Sequence, residues 1–105
     1  MKMIRAVIRP ENVESVVEGL AEGGFVSLTK IQAFGRGRQK GITVGGTHYD
    51  ELPKTTLIMV VAAEAAEKAL ELICGRARTG RAGDGKIFVS PVEAAVTISS
   101  GQRGL

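Results

Sequence analysis

The chain has too few cysteine, histidine and aromatic residues for several common kinds of site. A single cysteine, Cys74, excludes a disulfide within the chain and fits a reducing compartment; its apolar neighbours on a predicted helix are typical of a buried structural residue. The single histidine, His48, completes no Ser-His-Asp, Cys-His or metal-ligating set. Aromatic residues make up 4% of the chain, too few to stack bases on a sheet. The sequence therefore predicts neither an enzyme nor a nucleic-acid-binding protein.

Long apolar runs are also missing. No stretch of 18 apolar residues is present, and the N-terminal residues lack the apolar segment of a signal peptide. We therefore expect a soluble cytoplasmic protein that does not insert into a membrane. With 105 residues, the chain predicts a single domain, 1–105, long enough to bury a core without disulfides.

Apolar periodicity predicts two helices and a small number of strands. The long interruption at about 35–54 has five glycines and no sustained period, and loops of this length are usually functional. The order is that of an α+β, ferredoxin-like βαββαβ sandwich with a long loop and a short extra C-terminal strand. The predicted elements are a strand at 2–9, a helix from Pro10 to the glycines at 23–24, a strand at 25–34, a strand at 55–62, a helix at 64–78, a strand at 86–92 and a short strand within 93–100.

Two of the predicted strands are apolar on successive residues, as in "LIMVV" (57–61) and "KIFV" (86–89). Such strands are typically covered on both faces. Two helices can cover only one face of a four-stranded sheet, so the other face requires a partner. The sequence therefore predicts that the chain associates with copies of itself through its open sheet face.

Two stretches combine glycine with basic residues. In "TGRAGDGK" (79–86), the glycines allow backbone amides to turn toward a phosphate, Asp84 is placed for a ribose hydroxyl or an adenine amine, and Lys86 supplies a positive charge. In "GRQKG" (37–41), Arg38 suits a phosphate, Gln39 offers an oxygen for a hydrated Mg²⁺, and Lys40 suits a carboxylate. Together the two stretches predict a sensor of small anionic ligands.

These residues resemble the PII nitrogen-regulatory signal-transduction proteins over nearly the whole chain. "TGRAGDGKIFVSPVE" is similar to the C-terminal signature of that family, "GRQKG" and "LPK" (52–54) resemble the two borders of its mobile effector loop, and "MKMIRAVIRPE" resembles its opening. The resemblance implies a trimer of ferredoxin-like subunits that binds ATP or ADP in the clefts between subunits. It also implies that Mg²⁺ and ATP together allow 2-oxoglutarate, a signal of nitrogen shortage, to bind.

Site residues follow from the resemblance position by position. Gln39 would ligate Mg²⁺ through its amide oxygen. The implied 2-oxoglutarate residues are Gln39, Lys40, Gly41 and Lys54. The implied nucleotide-binding residues are Val7, Thr29, Gly35, Gly37, Arg38, Gln39, Val60, Thr79, Gly83, Asp84, Gly85 and Lys86.

The resemblance assigns the middle of the long loop to target binding. This loop is shorter than in general PII proteins and is more similar to the branch encoded with nitrogen-fixation genes, in which two different PII-like subunits bind the dinitrogenase component. We therefore expect a homotrimer, or a mixed assembly with a second PII-like subunit, that regulates nitrogenase. The expected target-binding residues are Thr43, Val44, Gly45, Gly46, Thr47, His48, Tyr49 and Asp50.

Two alternatives remain open at this point. The chain could be a PII regulator of an ammonium transporter or of glutamine synthetase. It could also be a ferredoxin-like trimeric structural or metal-binding module without ligand sensing, although the two glycine motifs argue against this. The sequence departs from the family at Thr97 and Ser99, where phosphate-binding arginines are usual, and this leaves the preference between ATP and ADP open.

Overall fold

The computed structural model describes residues 1–37 and 42–105. Short 3-10 turns at Pro10–Asn12 and Ala63–Ala65 precede the two helices. Within the described ranges, no helix has the length and apolar character needed to cross a bilayer. The elements in chain order are β1 (Lys2–Ile8), α1 (Val13–Glu22), β2 (Thr29–Gly35), β3 (Ile42–Val44), β4 (Thr47–Tyr49), β5 (Leu52–Val61), α2 (Ala66–Ala77) and β6 (Gly85–Pro91).

The four long strands form one antiparallel sheet in the order β2-β5-β1-β6. The first strand lies between β5 and β6, so that Ile4 is flanked by Met59 and Val89. This topology confirms the predicted ferredoxin-like α+β fold.

One face of the sheet packs against both helices and forms the core. Because side chains alternate along a strand, every second residue of β1 and β5 faces the helices. Val16 and Leu20 of α1 and Ile73 of α2 are fully buried against them. The sheet contributes Ile4, Ala6, Ile8, Leu57, Met59 and Val61 to this cluster.

The opposite side of the sheet, here called the open face, is not covered by either of the two helices in the described part of the chain. Strand register and alternation place on it an apolar centre, in which Met3, Val7, Ile58 and Val60 are half-buried and Phe88 is 54% exposed. The open-face residues are Met3, Arg5, Val7, Thr29, Ile31, Ala33, Lys54, Thr56, Ile58, Val60, Lys86, Phe88 and Ser90.

The second strand is shorter than predicted at its start. It begins at Thr29 rather than at residue 25, because the chain first completes the end of α1. Gly24 has a φ of 95°, and the Phe25 amide bonds to the Leu20 carbonyl across 2.8 Å. A helix end of this type occupies residues that otherwise have strand-like composition.

The long loop contains more regular structure than predicted. The third long strand begins at Leu52 instead of 55, since Leu52 pairs with Gly35. Strands β3 and β4 form a hairpin whose turn, Gly45–Gly46, has φ values of 56° and 82°. Positive φ at both central residues is the geometry that suits tight hairpins and favours glycine.

The predicted short C-terminal strand is present only as an isolated bridge between Val96 and Arg103. The segment nevertheless folds back on itself: the Thr97 amide bonds to the Gln102 carbonyl, and the Gly104 amide to the Ala95 carbonyl, both across 2.9 Å. The final residues therefore form a closed turn.

Candidate functional site

The glycine loop between α2 and β6 is shaped by Asp84. One carboxylate oxygen of Asp84 accepts hydrogen bonds from the backbone amides of Thr79, at 2.8 Å, and Gly80, at 2.9 Å. The other oxygen accepts a short hydrogen bond from the Thr79 hydroxyl and pairs with Arg9 Nε at 3.2 Å. Both oxygens of Asp84 are thus engaged within the loop, and its predicted contact with a nucleotide remains a prediction.

Two basic side chains from the sheet hold the tip of the loop. Arg9, directly after β1, donates from Nη2 to the Ala82 carbonyl at 2.8 Å. Lys54 of β5 donates from Nζ to the Gly83 carbonyl at 2.7 Å. Because Arg9 and Lys54 donate to the carbonyl oxygens of Ala82 and Gly83, they fix the orientation of these two peptides and place two positive charges beside them.

A close backbone approach explains the glycine at position 85. Its φ of 115° lies in the region that side chains rarely adopt, and a Cβ there would lie 1.8 Å from the carbonyl oxygen of Val7. The start of β6 therefore lies directly against β1, with Ile8 opposite Gly85 and Val7 opposite Lys86. Only glycine fits, since any side chain would have to displace the backbone of β1.

The electrostatics of the site favour an anionic ligand. Hydrogen bonds from the side chain and amide of Thr79, aided by those from Gly80 and Arg9, hold the pKa of Asp84 well below its ordinary value. Burial, together with the nearby Arg9 charge, lowers the pKa of Lys54 from 10.5, while Glu11 and Asp84 raise it. An anion bound close to this ammonium would further stabilise its charged form.

The predicted nucleotide-binding residues lie at two ends of the sheet. Val7, Gly35 and Lys86 lie at the end that carries the glycine loop, and a Cβ on Gly35 would lie 3.4 Å from Cγ of Lys54. Thr29 and Val60 are at the other end, because Val60 pairs with Met3 and Thr29 with Ile58. Val60 lies four residues along β5 from Thr56, the partner of Val7, which is about 13 Å. The predicted nucleotide-binding residues of one chain thus form two separate groups, one at each end of the sheet.

Four of the predicted phosphate, Mg²⁺ and 2-oxoglutarate residues, Arg38, Gln39, Lys40 and Gly41, lie outside the described residues. Gly37, directly before them, follows β2 and is exposed. Their roles remain predictions.

The expected target-binding hairpin is held by polar contacts at its exposed surface. The Thr43 hydroxyl and His48 Nδ1 are 3.0 Å apart, and His48 Nε2 lies 3.1 Å from an Asp50 carboxylate oxygen. His48 thereby joins β3 to the residue after β4. Their role in target binding stays a prediction, and the contacts of His48 depend on the pairing of β3 with β4.

An apolar cavity of about 420 Å³ lies beside the glycine loop, between α2 and β6. Ile8, Ile73 and Ile87 contribute to its lining together with Cys74, which is half-buried and a free thiol. The cavity is on the helix side of the sheet, whereas Val7 belongs to the open face. The loop therefore borders both sides of the sheet edge.

Arg9 is the site residue that the sequence analysis missed. Its contacts reach Ala82 and Asp84, more than 70 residues away in the chain, so no local pattern indicates them. Its place directly after β1 and before Pro10 is the local feature that the sequence offers, and in the structure the preceding residue, Ile8, pairs with Gly85.

Comparison with known proteins agrees with this geometry. The family model described as nitrogen regulatory protein P-II matches residues 1–102. The chain is 62% identical over 105 residues to a nitrogen fixation nifHD2 region GlnB-like protein 1 of Methanosarcina barkeri, and 57% identical to a nitrogen fixation nifHD region glnB-like protein 1 of Methanococcus maripaludis; each comparison covers 100% of both chains. It is also 47% identical over 109 residues to a nitrogen regulatory protein P-II of Rhizobium meliloti, covering 100% of this chain and 97% of that protein. The chain therefore belongs to the nitrogen regulatory protein P-II family.

Proposed function

We propose that this chain senses ATP or ADP and 2-oxoglutarate and regulates dinitrogenase by direct contact. The observation that carries the proposal is the glycine loop, which Arg9 and Lys54 hold by its carbonyl oxygens beside the base of the long loop. The relatives named for nitrogen-fixation regions support the nitrogenase target.

The residues of the described site fit a nucleotide phosphate chain. Lys86 and Lys54 supply positive charge, and Asp84, the one carboxylate within the loop, is paired with Arg9 and accepts hydrogen bonds from the amides of Thr79 and Gly80. Amides of glycine-rich turns and ammonium groups are the donors that phosphates use in proteins. Within the described residues, no group of three metal-ligating side chains is present, and Mg²⁺ would be held by Gln39 together with ATP.

Association completes the nucleotide site in this proposal. Val60 lies about 13 Å along β5 from the residue that pairs with Val7, too far to contact the same nucleotide base. Thr29 pairs with Ile58, about 7 Å along β5 from that level, and its strand is separated from β1 by β5. A neighbouring subunit would supply them, giving a homotrimer or a mixed assembly with clefts between subunits. The exposed apolar residues of the open face, Ile31 and Phe88, support such an assembly.

Signal transfer would follow from the position of Lys54. Its ammonium contacts the glycine loop, its backbone belongs to the strand that ends the long loop, and it is the predicted partner of a 2-oxoglutarate carboxylate. A 2-oxoglutarate that draws Lys54 away from Gly83 would alter both loops together. Linkage requires that ATP and 2-oxoglutarate strengthen each other equally. The chain would hold the nucleotide as a signal, without hydrolysing it as an enzyme does.

The test is inhibition of purified dinitrogenase in the presence of ADP, followed by its relief with Mg²⁺, ATP and 2-oxoglutarate. The Lys86→Ala variant should lose nucleotide binding and regulation together while keeping its assembly state. If the chain binds these ligands but leaves dinitrogenase active, alone and with a second PII-like subunit, the target is wrong. An ammonium transporter or glutamine synthetase would then be tested in the same way.

A further inference from the structure

Among the described residues, the open face carries three cations and no carboxylate. Lys54 and Lys86 belong to the nucleotide site, but the third cation, Arg5, has no role in it. Arg5 lies at the middle of β1 with Ile58 on one side and Phe88 on the other. Its side chain is exposed, and within residues 1–37 and 42–105 no ion pair includes it.

The described neighbours of Arg5 on the open face are apolar, hydroxyl-bearing or positive, and none of them is acidic. Thr56 and Val60 are its diagonal neighbours on β5, and Lys86 and Ser90 are those on β6, each about 7–8 Å away. Two cations at this separation repel each other, while the two hydroxyl groups are potential donors to an anion.

When the open faces of associated copies pack together, the positive charge of Arg5 becomes buried, and a bound anion would compensate for it. The surrounding Met3, Val7, Ile58 and Phe88 favour burial, but they would enclose Arg5 without a counter-charge. Burying an unpaired guanidinium is strongly unfavourable. Guanidinium groups bind oxyanions through paired N–H donors.

We propose that associated copies of this chain enclose a small inorganic oxyanion between their open faces, bound by Arg5 from more than one subunit. This inference rests on the association proposed above. Because the copies share the ion, fewer anions than chains bind. A nucleotide phosphate would instead bind once for each chain, at Lys86 and the glycine loop.

Thermal unfolding and light scattering of the full chain test the proposal, without nucleotide, in inorganic phosphate or sulfate against chloride at equal ionic strength. Phosphate should raise the unfolding midpoint of the wild type but not that of Arg5→Met or Arg5→Gln. Lys30→Met is the matched control, because it removes one positive charge from the helix side of the same sheet. Lys30→Met should respond to phosphate as the wild type does. Equilibrium dialysis of the wild type with labelled phosphate should give less than one bound ion per chain. This binding should be lost in the Arg5 variants.

The opposite results are clearly distinguishable. An equal phosphate response in Arg5→Met, or no response in the wild type, overturns the Arg5 site while nucleotide binding and association stand. One Arg5-dependent ion per chain overturns the sharing between subunits. A wild type that stays monomeric in every buffer overturns both this site and the association on which it rests.

Discussion

The ammonium of Lys54 donates a hydrogen bond to the carbonyl oxygen of Gly83 across 2.7 Å. This contact joins the strand at the end of the long loop to the glycine loop, and it places a buried cation beside Arg9. A side chain of the "LPK" stretch (52–54) thus contacts the glycine loop directly.

Replacing Lys54 by methionine should weaken nucleotide binding and abolish 2-oxoglutarate binding. The apolar stem is kept, so we expect the fold to persist, while the loss of the charged hydrogen bond should weaken nucleotide binding by about tenfold. Binding of 2-oxoglutarate should become undetectable. Calorimetric titration measures both, with Lys30→Met as a charge-matched control; unchanged 2-oxoglutarate affinity would contradict the proposed role.

Glycine 85 should tolerate no side chain. A Cβ in Gly85→Ala would lie 1.8 Å from the Val7 carbonyl oxygen, so the variant should lose more than about 4 kcal/mol of stability or fail to fold. Gly80→Ala is the control, because Gly80 also has positive φ but no atom lies within 4 Å of the new Cβ. Its cost should be only about 1–2 kcal/mol. Similar chemical denaturation curves for the two variants would argue against the close approach.

Asp84→Asn should destabilise the loop in a pH-dependent way. The folded-state pKa of Asp84 is lowered from 3.8, so the ionised carboxylate stabilises the folded protein above that value, and the contribution is lost as the pH falls below it. The variant should therefore unfold at a lower temperature than the wild type at pH 7. The difference in unfolding temperature between the variant and the wild type should narrow progressively below about pH 3.8. A gap that stays constant down to the most acidic buffer would contradict this assignment.

Deleting residues 44–50 should abolish target control but preserve ligand binding. The deletion removes the hairpin turn and the contacts of His48 with Thr43 and Asp50, which lie away from the glycine loop. Nucleotide titrations should match the wild type, while inhibition of dinitrogenase is lost. The His48→Ala variant keeps the chain length and should have a smaller effect. Inhibition that survives the deletion would place the target contact elsewhere.

Local patterns accounted for the fold better than for the site. The alternation of apolar residues in β1 and the apolar stripe of α1 are visible in short stretches of sequence, and the structure confirmed the strand and the helix that they predicted. The start of β5 at Leu52 depends on pairing with Gly35, so it could not be located from composition. The Gly45–Gly46 turn, in contrast, has a recognisable hairpin signal in the sequence, two glycines between short β-prone segments.

The internal supports of the site were less predictable, because they depend on distant residues. Asp84 was assigned to a nucleotide, yet its oxygens are engaged by Thr79, Gly80 and Arg9. The distance between Val7 and Val60 could not be predicted either, because it depends on the register of β1 with β5. This distance supports a nucleotide site formed between subunits.

Calorimetric titration of Mg²⁺ and ATP, with and without 2-oxoglutarate, tests the central claim most directly. The account predicts that 2-oxoglutarate strengthens ATP binding and that ATP strengthens 2-oxoglutarate binding by the same factor. Equal ATP affinity in the presence and absence of 2-oxoglutarate, or no nucleotide binding at all, would contradict it.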